Sequence, residues 1–197
     1  MIKLIYFDFG GVLVNIGDVL KTVCKDFKLN SEEFKKFYAD FDHDLAFGKI
    51  SNDYFWKRCV EKFCLKNAES YDFPKSWVSD YKIIKPINEL IYSLEGKIEI
   101  GILSNVNPGV WEAALKDNWV PNIKYKNTFL SYKLGMVKPN PKIYELAQSQ
   151  SQVKPEEILF VDDRAENLIT PKEMGWKTVL FDQKMAKECV KKIKQVI

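Results

Sequence analysis

The chain has 197 residues, 46% of them hydrophobic, with 13 Phe, 9 Tyr and 5 Trp, which describes a globular protein with one ample core and excludes a disordered chain. Lys and Arg (30) nearly balance Asp and Glu (27) for a net charge of +3, with the signs interspersed, so composition offers no nucleic-acid footprint. No stretch approaches membrane-span length, and the first apolar run is broken by Asp8 with no small-residue cleavage site after it, so the expectation is a cytoplasmic protein with no membrane partner.

The first predicted strand is Lys3–Asp8, followed at once by Phe9-Gly10-Gly11. From about Ile16 to Ile84 no strand is predicted. Apolar residues there recur at helical spacing in Val19-Leu20-Val23-Phe27, Phe34-Phe37-Tyr38-Phe41 and Tyr54-Phe55-Cys59-Phe63. Asn30 followed by Glu33 reads as a capping box for the second of these helices, and Gly48 with Ser51-Asn52-Asp53 punctuates before the third. The chain returns through Lys85-Pro86. Strands are then predicted over Ile98–Ser104, Ile158–Asp162 and Lys177–Phe181, with a short one at Phe129–Ser131. Between and after them lie the helical patterns Ile87–Leu94, Pro108–Lys116, Pro141–Gln150, Ala165–Met174 and Lys184–Ile197. Strand–helix alternation with continuous apolar strands predicts an α/β fold, a doubly wound parallel sheet built from residues 1–15 and 85–197. Residues 16–84 are an all-helical cap inserted after the first strand. The cysteines Cys24, Cys59, Cys64 and Cys189 contain no C-x-x-C pair and no ordinary zinc spacing, and read as free thiols.

Ligands of open parallel sheets bind at the carboxyl ends of the strands. The first strand ends on Asp8, the second on Ser104-Asn105 and the third on the pair Asp162-Asp163, while Lys138 stands in a loop before Pro139-Asn140-Pro141. Adjacent acids are costly to bury without a cation, and oxygen ligands alone point to magnesium, completed by a substrate phosphate. Ser104, Asn105 and Lys138 are donors for the same phosphoryl oxygens. Asp8 is then left to attack phosphorus in line and form an aspartyl-phosphate.

Phe7-Asp8-Phe9-Gly10-Gly11-Val12-Leu13, Ile102-Leu103-Ser104-Asn105, Gly135-Met136-Val137-Lys138-Pro139 and Phe160-Val161-Asp162-Asp163 resemble, in order, the four motifs of the haloacid dehalogenase (HAD) superfamily. Gly48-Lys49-Ile50-Ser51 resembles part of the helical cap of the members whose cap follows motif one. The nearest likeness is to the glucose-1-phosphatase-like branch, whose first motif also carries Gly at the position of Gly10. The resemblance implies a HAD-like Rossmannoid core with Asp8 as nucleophile and Mg²⁺ ligand. Ser104, Asn105 and Lys138 bind the phosphoryl group. The metal ligands are Asp8, the backbone of Gly10 and Asp163, with Asp162 assisting directly or through water. Asn167 takes a supporting part.

Most phosphatases of this superfamily carry Asp two residues after the nucleophile, as general acid and base. Gly10 keeps its carbonyl and deletes that carboxyl, so acid–base help worth roughly 10²–10⁴-fold is missing or comes from elsewhere. His43, the only histidine, is one stand-in, with Asp18 and Asp44 as weaker ones. The expected activity is a magnesium-dependent phosphomonoesterase acting on a small phosphorylated metabolite. A sugar-1-phosphate is favoured because its anomeric oxyanion leaves easily. The alternatives are an attenuated relative that binds a phosphorylated ligand or a protein, and a metal-independent dehalogenase.

Overall fold

A computed structural model describes residues 1–197. At its centre lies β1 (Leu4–Phe7), with all four residues buried. A strand with no exposed alternate residue belongs inside a sheet covered on both faces. Five parallel strands run in the order β5 (Thr128–Leu130), β4 (Glu99–Ser104), β1, β6 (Ile158–Asp162), β7 (Lys177–Leu180). The chain therefore builds one half of the sheet outward from β1, then crosses to build the other. The switch in direction falls at β1, and ligands of open α/β sheets bind beyond the strand ends at such a switch.

Leu4 and Tyr6 point to one face, where they pack with Ile143, Tyr144 and Ala147 of α8 (Pro141–Ser151), with Leu168, which precedes α9 (Ile169–Glu173), and with Trp176, which follows it. Ile5 and Phe7 point to the other face. Their partners are Ile87 and Ile91 of α5 (Lys85–Leu94), Trp111 of α6 (Val110–Lys116), and Cys189 and Ile193 of α10 (Ala186–Val196). No helix is long and apolar enough to cross a membrane.

The insert after β1 carries α1 (Lys21–Phe27), α2 (Ser31–Ala46), α3 (Asn52–Phe63) and α4 (Phe73–Val78). They enclose a separate apolar cluster that includes Leu20, Phe34, Leu45, Phe55, Trp56 and Phe73. Each start after α1 is fixed by a side chain: Asn30 accepts from Glu33 N–H at 3.0 Å, Ser51 from Tyr54 N–H at 3.1 Å, and Asp72 from Lys75 N–H at 3.0 Å. Each such cap is worth about 1 kcal/mol.

Several boundaries differ from the sequence reading. The stretch expected to hold no strand contains β3 (Lys82–Ile83), antiparallel to β2 (Val14–Asn15). Two-residue strands are too short to show a period, and both residues of β3 are exposed. The expected helix Ala165–Met174 divides into a 3₁₀ turn, Ala165–Leu168, and α9. Asn167 has its side chain spent on Asp162, and Pro171 follows. Ser131 leaves β5 to open the short α7 (Ser131–Leu134). Pro108 and Gly109 precede α6, and a 3₁₀ turn over Gln183–Met185 precedes α10.

Candidate active site

Phe7 pairs with Ile102 on one side and Val161 on the other. Carrying that parallel register one residue further sets Asp8 level with Leu103 and Asp162. Asp8 N–H donates to Val161 O at 2.9 Å, and its carboxylate accepts from Phe9 N–H at 2.7 Å. Lys138 Nζ lies 3.1 Å from Asp8 Oδ1 and 2.6 Å from Asp162 Oδ2. All three side chains are buried. One oxygen from each of Asp8, Asp162 and Asp163 falls within 4.8 Å of the others. A single ammonium against three carboxylates leaves the cluster short of positive charge, and an all-oxygen donor set fits a hard divalent cation.

Burial pushes the Asp8 carboxyl up to about 7. The Lys138 ammonium pulls it down, the Asp162 charge pushes it up, and the Ser104 hydroxyl and the bond from Phe9 N–H lower it. Asp163 is also raised, by partial burial and then by the Asp162 charge.

The adjacent acids have different surroundings. Asp162 receives Lys138 Nζ, Arg164 N–H at 2.8 Å, and Asn167 Nδ2 on both oxygens at 3.0 and 3.1 Å. Its lone pairs are occupied by the protein. Asp163 is exposed and lies against Gly11, where a Cβ would overlap its carboxylate. Gly11 also has φ +79°, a conformation L residues rarely adopt.

Ser104 is buried at the end of β4, with its hydroxyl donating to Asn105 O at 3.5 Å. Asn105 follows it, and its side-chain amide is paired with the backbone of Lys138: Nδ2 donates to Lys138 O at 2.9 Å and Oδ1 accepts from Lys138 N–H at 2.8 Å. Gly10 bridges to Val14, and a Cβ on it would stand 3.3 Å from Ile16 Cγ2. His43 is exposed at the end of α2, bonded to Asp44 at 3.1 Å with its ring on Phe47. Asp18 pairs with Lys35 and Asp44 with Lys49, so neither of these acids is free of a partner.

Of the insert aromatics, Phe55 and Trp56 are buried in the helical cluster and Tyr54 is exposed. Sequence reasoning gave Gly11, Ile16 and Ser131 no individual part in the site. The double-glycine turn was the one available signal for the first. Ser131 Oγ accepts from Val106 N–H at 3.0 Å and donates to Val106 O at 3.2 Å, a link between loops that spacing does not encode.

A family model described as haloacid dehalogenase-like hydrolase matches residues 2–175. The D-ribitol-5-phosphate phosphatase of Bacteroides thetaiotaomicron is 33% identical over 190 residues, 90% of this chain and 91% of that protein. A HAD family enzyme of the same organism, solved with magnesium and inorganic phosphate, superposes with a TM-score of 0.76 at 25% identity, over 91% of this chain and 94% of that one. A structure described as a predicted HAD-like family hydrolase from Porphyromonas gingivalis gives 0.76 at 24% identity, over 100% and 98% of the two chains, a likeness of fold.

Proposed function

The chain belongs to the haloacid dehalogenase-like hydrolases, and from that premise we propose that it is a magnesium-dependent phosphatase of small sugar or polyol phosphates, with the helical insert over residues 16–84 as its cap. The observation that carries this reading is the buried Lys138 bridging Asp8 and Asp162 beside Asp163. A lysine holding two acids at the ends of adjacent strands is a poor structural element, because desolvation offsets much of the pairing. It is an effective phosphoryl site, because the same charges stabilise an anionic transition state.

Asp8 is the nucleophile. An oxygen of its carboxylate bonds to phosphorus as the ester P–O bond breaks, and the leaving oxygen takes a proton from solvent, which the water of the second step gives back. Water then attacks the aspartyl-phosphate at phosphorus, the bond to Asp8 breaks, and inorganic phosphate departs. Lys138, the Ser104 hydroxyl and the Asn105 loop hold the phosphoryl oxygens. Asp8, Asp163 and the Gly10 carbonyl are the residues that would hold magnesium, with Asp162 behind them. Bound there, the ion supplies charge neutralisation for the phosphate.

Two cues bear on the substrate. Gly10 removes a local proton donor, which favours esters with stable leaving oxyanions, such as a sugar-1-phosphate. The ribitol-5-phosphate relative acts on a primary-alcohol phosphate, with no anomeric carbon. A phosphate-ester screen with both compounds, read as released phosphate with and without EDTA, tests the assignment. Chelator-sensitive release supports it. Chelator-insensitive turnover of a 2-haloacid would replace it with the dehalogenase reading. Magnesium and beryllium fluoride binding without release from any ester would replace it with the binding-protein reading.

A further inference from the structure

The loop after β4 ties the insert to the catalytic lysine. Its residues each engage a different part of the molecule. Asn105 pairs its amide with the backbone of Lys138 through two bonds. Val106 exchanges both backbone groups with Ser131 Oγ. Asn107 Nδ2 donates to the Tyr38 hydroxyl on α2 at 2.7 Å. Pro108 O accepts from Asn52 Nδ2 on α3. Gly109 is approached by Pro74 on α4, whose Cγ would lie 3.0 Å from a Cβ there. The first two attachments face the sheet domain and the last three face the insert.

Val106, Asn107, Ser131 and Asn52 are buried, so loss of their bonds leaves polar groups without water to replace the partner, whereas Asn105 is exposed and its two bonds to the Lys138 backbone are made in reach of water. Tyr38 is held on its other side by Asp42, to which it donates at 2.5 Å. The hydroxyl is therefore fixed in direction, accepting from Asn107 and donating to Asp42. A displacement of α2 pulls on Asn107. The strap is short, so the pull reaches Asn105 and the Lys138 backbone, and Lys138 Nζ is the group that contacts Asp8 and Asp162.

We propose that residues 105–109 form a strap that couples the seating of the insert to the placement of Lys138, and that Tyr38 and Asn107 are positioning residues for phosphoryl transfer. The catalytic half of this proposal rests on the phosphatase reading above; the coupling itself does not. Small errors of placement in a charged site cost far more in rate than in substrate binding. The expected signature is therefore a loss in kcat with KM nearly kept.

The test uses the full-length protein and Tyr38→Phe, which keeps the ring packed against Phe55 and Trp77 and deletes only the hydroxyl. Tyr71→Phe is the control, since it deletes another insert hydroxyl, bonded to Asp26 at 2.7 Å rather than to the strap. Amide hydrogen exchange of the peptide spanning residues 135–139 is measured without substrate, and kcat and KM on an ester found by the screen. Tyr38→Phe is expected to speed exchange at Lys138, whose N–H donates to Asn105, and to lower kcat about tenfold with KM changed less than about twofold. Tyr71→Phe is expected to do neither.

Exchange at Lys138 left as in wild type overturns the strap. Faster exchange with kcat unchanged in an active enzyme overturns the positioning role. Should Tyr38→Phe prove poorly folded, Asn107→Ser, which shortens the donor on the strap side, gives the same readings. If no ester is turned over, the phosphatase reading fails and the exchange result alone decides the coupling.

Discussion

Ile16 Cγ2 fills the space into which a side chain on Gly10 would project, 3.3 Å from the position of its Cβ. Ile16 is 40% exposed and lies just beyond β2, at the entry to the insert. Gly10 has no positive φ, so its backbone accepts an L residue, and a shift of a few tenths of an ångström by one methyl admits a Cβ. Gly10→Asp is expected to fold, to keep magnesium binding through the backbone carbonyl, and to raise kcat on primary-alcohol phosphates by roughly 10–10²-fold. Adding Ile16→Ala is expected to raise it further. Rates against the pKa of the leaving alcohol check this, and calorimetric loss of magnesium binding in the single variant contradicts it.

The buried Asp8 carboxyl, pushed up to about 7, links stability to pH in the metal-free protein. Unfolded, the group titrates near 3.8. Between those values the native state holds a proton that the unfolded state has lost, so this group's contribution to stability falls as pH rises, by about 1.4 kcal/mol per unit of difference. The contribution is fully present below the unfolded value and lost as pH passes the folded one. Asp8→Asn is expected to abolish turnover, by at least ~10³-fold. It is also expected to raise Tm in EDTA at pH 7.5 more than at pH 5.5, by roughly 2–4 °C for each kcal/mol relieved. Thermal scans at both pH values read it, and equal shifts would contradict the linkage.

The strand ends were legible because β1, β4 and β6 are apolar runs with polar groups at one end, and that pattern survives in any parallel sheet. The order of the strands was not, since neighbours are chosen by packing across the sheet rather than by local preference. The same holds for β2 and β3, whose pairing is completed by Ile84 N–H donating to Leu13 O. At the site, residue types carried the chemistry, while the division of labour, Asp163 on the metal and Asp162 assisting, came only from the family resemblance. Asp162 and Asp163 are identical letters. Only the folded chain gives one of them Lys138, Asn167 and Arg164 N–H as partners and turns the other toward Gly11. Asn105 likewise shows in sequence as a donor, while its bonds to the Lys138 backbone depend on two loops meeting.

Gly11 tests that division. Ala at this position must adopt φ +79° and overlap the Asp163 carboxylate. The backbone strain costs about 1–3 kcal/mol, and Asp163 has to turn away. Gly11→Ala is expected to weaken magnesium binding by at least about tenfold while leaving the Lys138–Asp162 pair in place. Asp162→Asn is expected to cost more in stability than in metal affinity. Magnesium titrations beside urea midpoints separate the two, and equal losses of affinity would contradict separate roles.

Lys138 is 3% exposed and Asp162 fully buried, so removing the ammonium strands a charge. Lys138→Met keeps the length of the side chain and is expected to destabilise the metal-free protein by about 3–5 kcal/mol. The double variant Lys138→Met/Asp162→Asn is expected to lose less than the sum of the single changes, because the unpaired carboxylate is gone. Magnesium is expected to return part of the loss in Lys138→Met, since the cation takes over neutralisation of Asp8. Its stabilising shift in Tm is then larger in this variant than in wild type at equal magnesium. Urea midpoints for the four proteins, with and without the metal, supply every term. A magnesium shift smaller than that of wild type would mean that Lys138 helps to organise the metal site rather than compete with it for the same carboxylates.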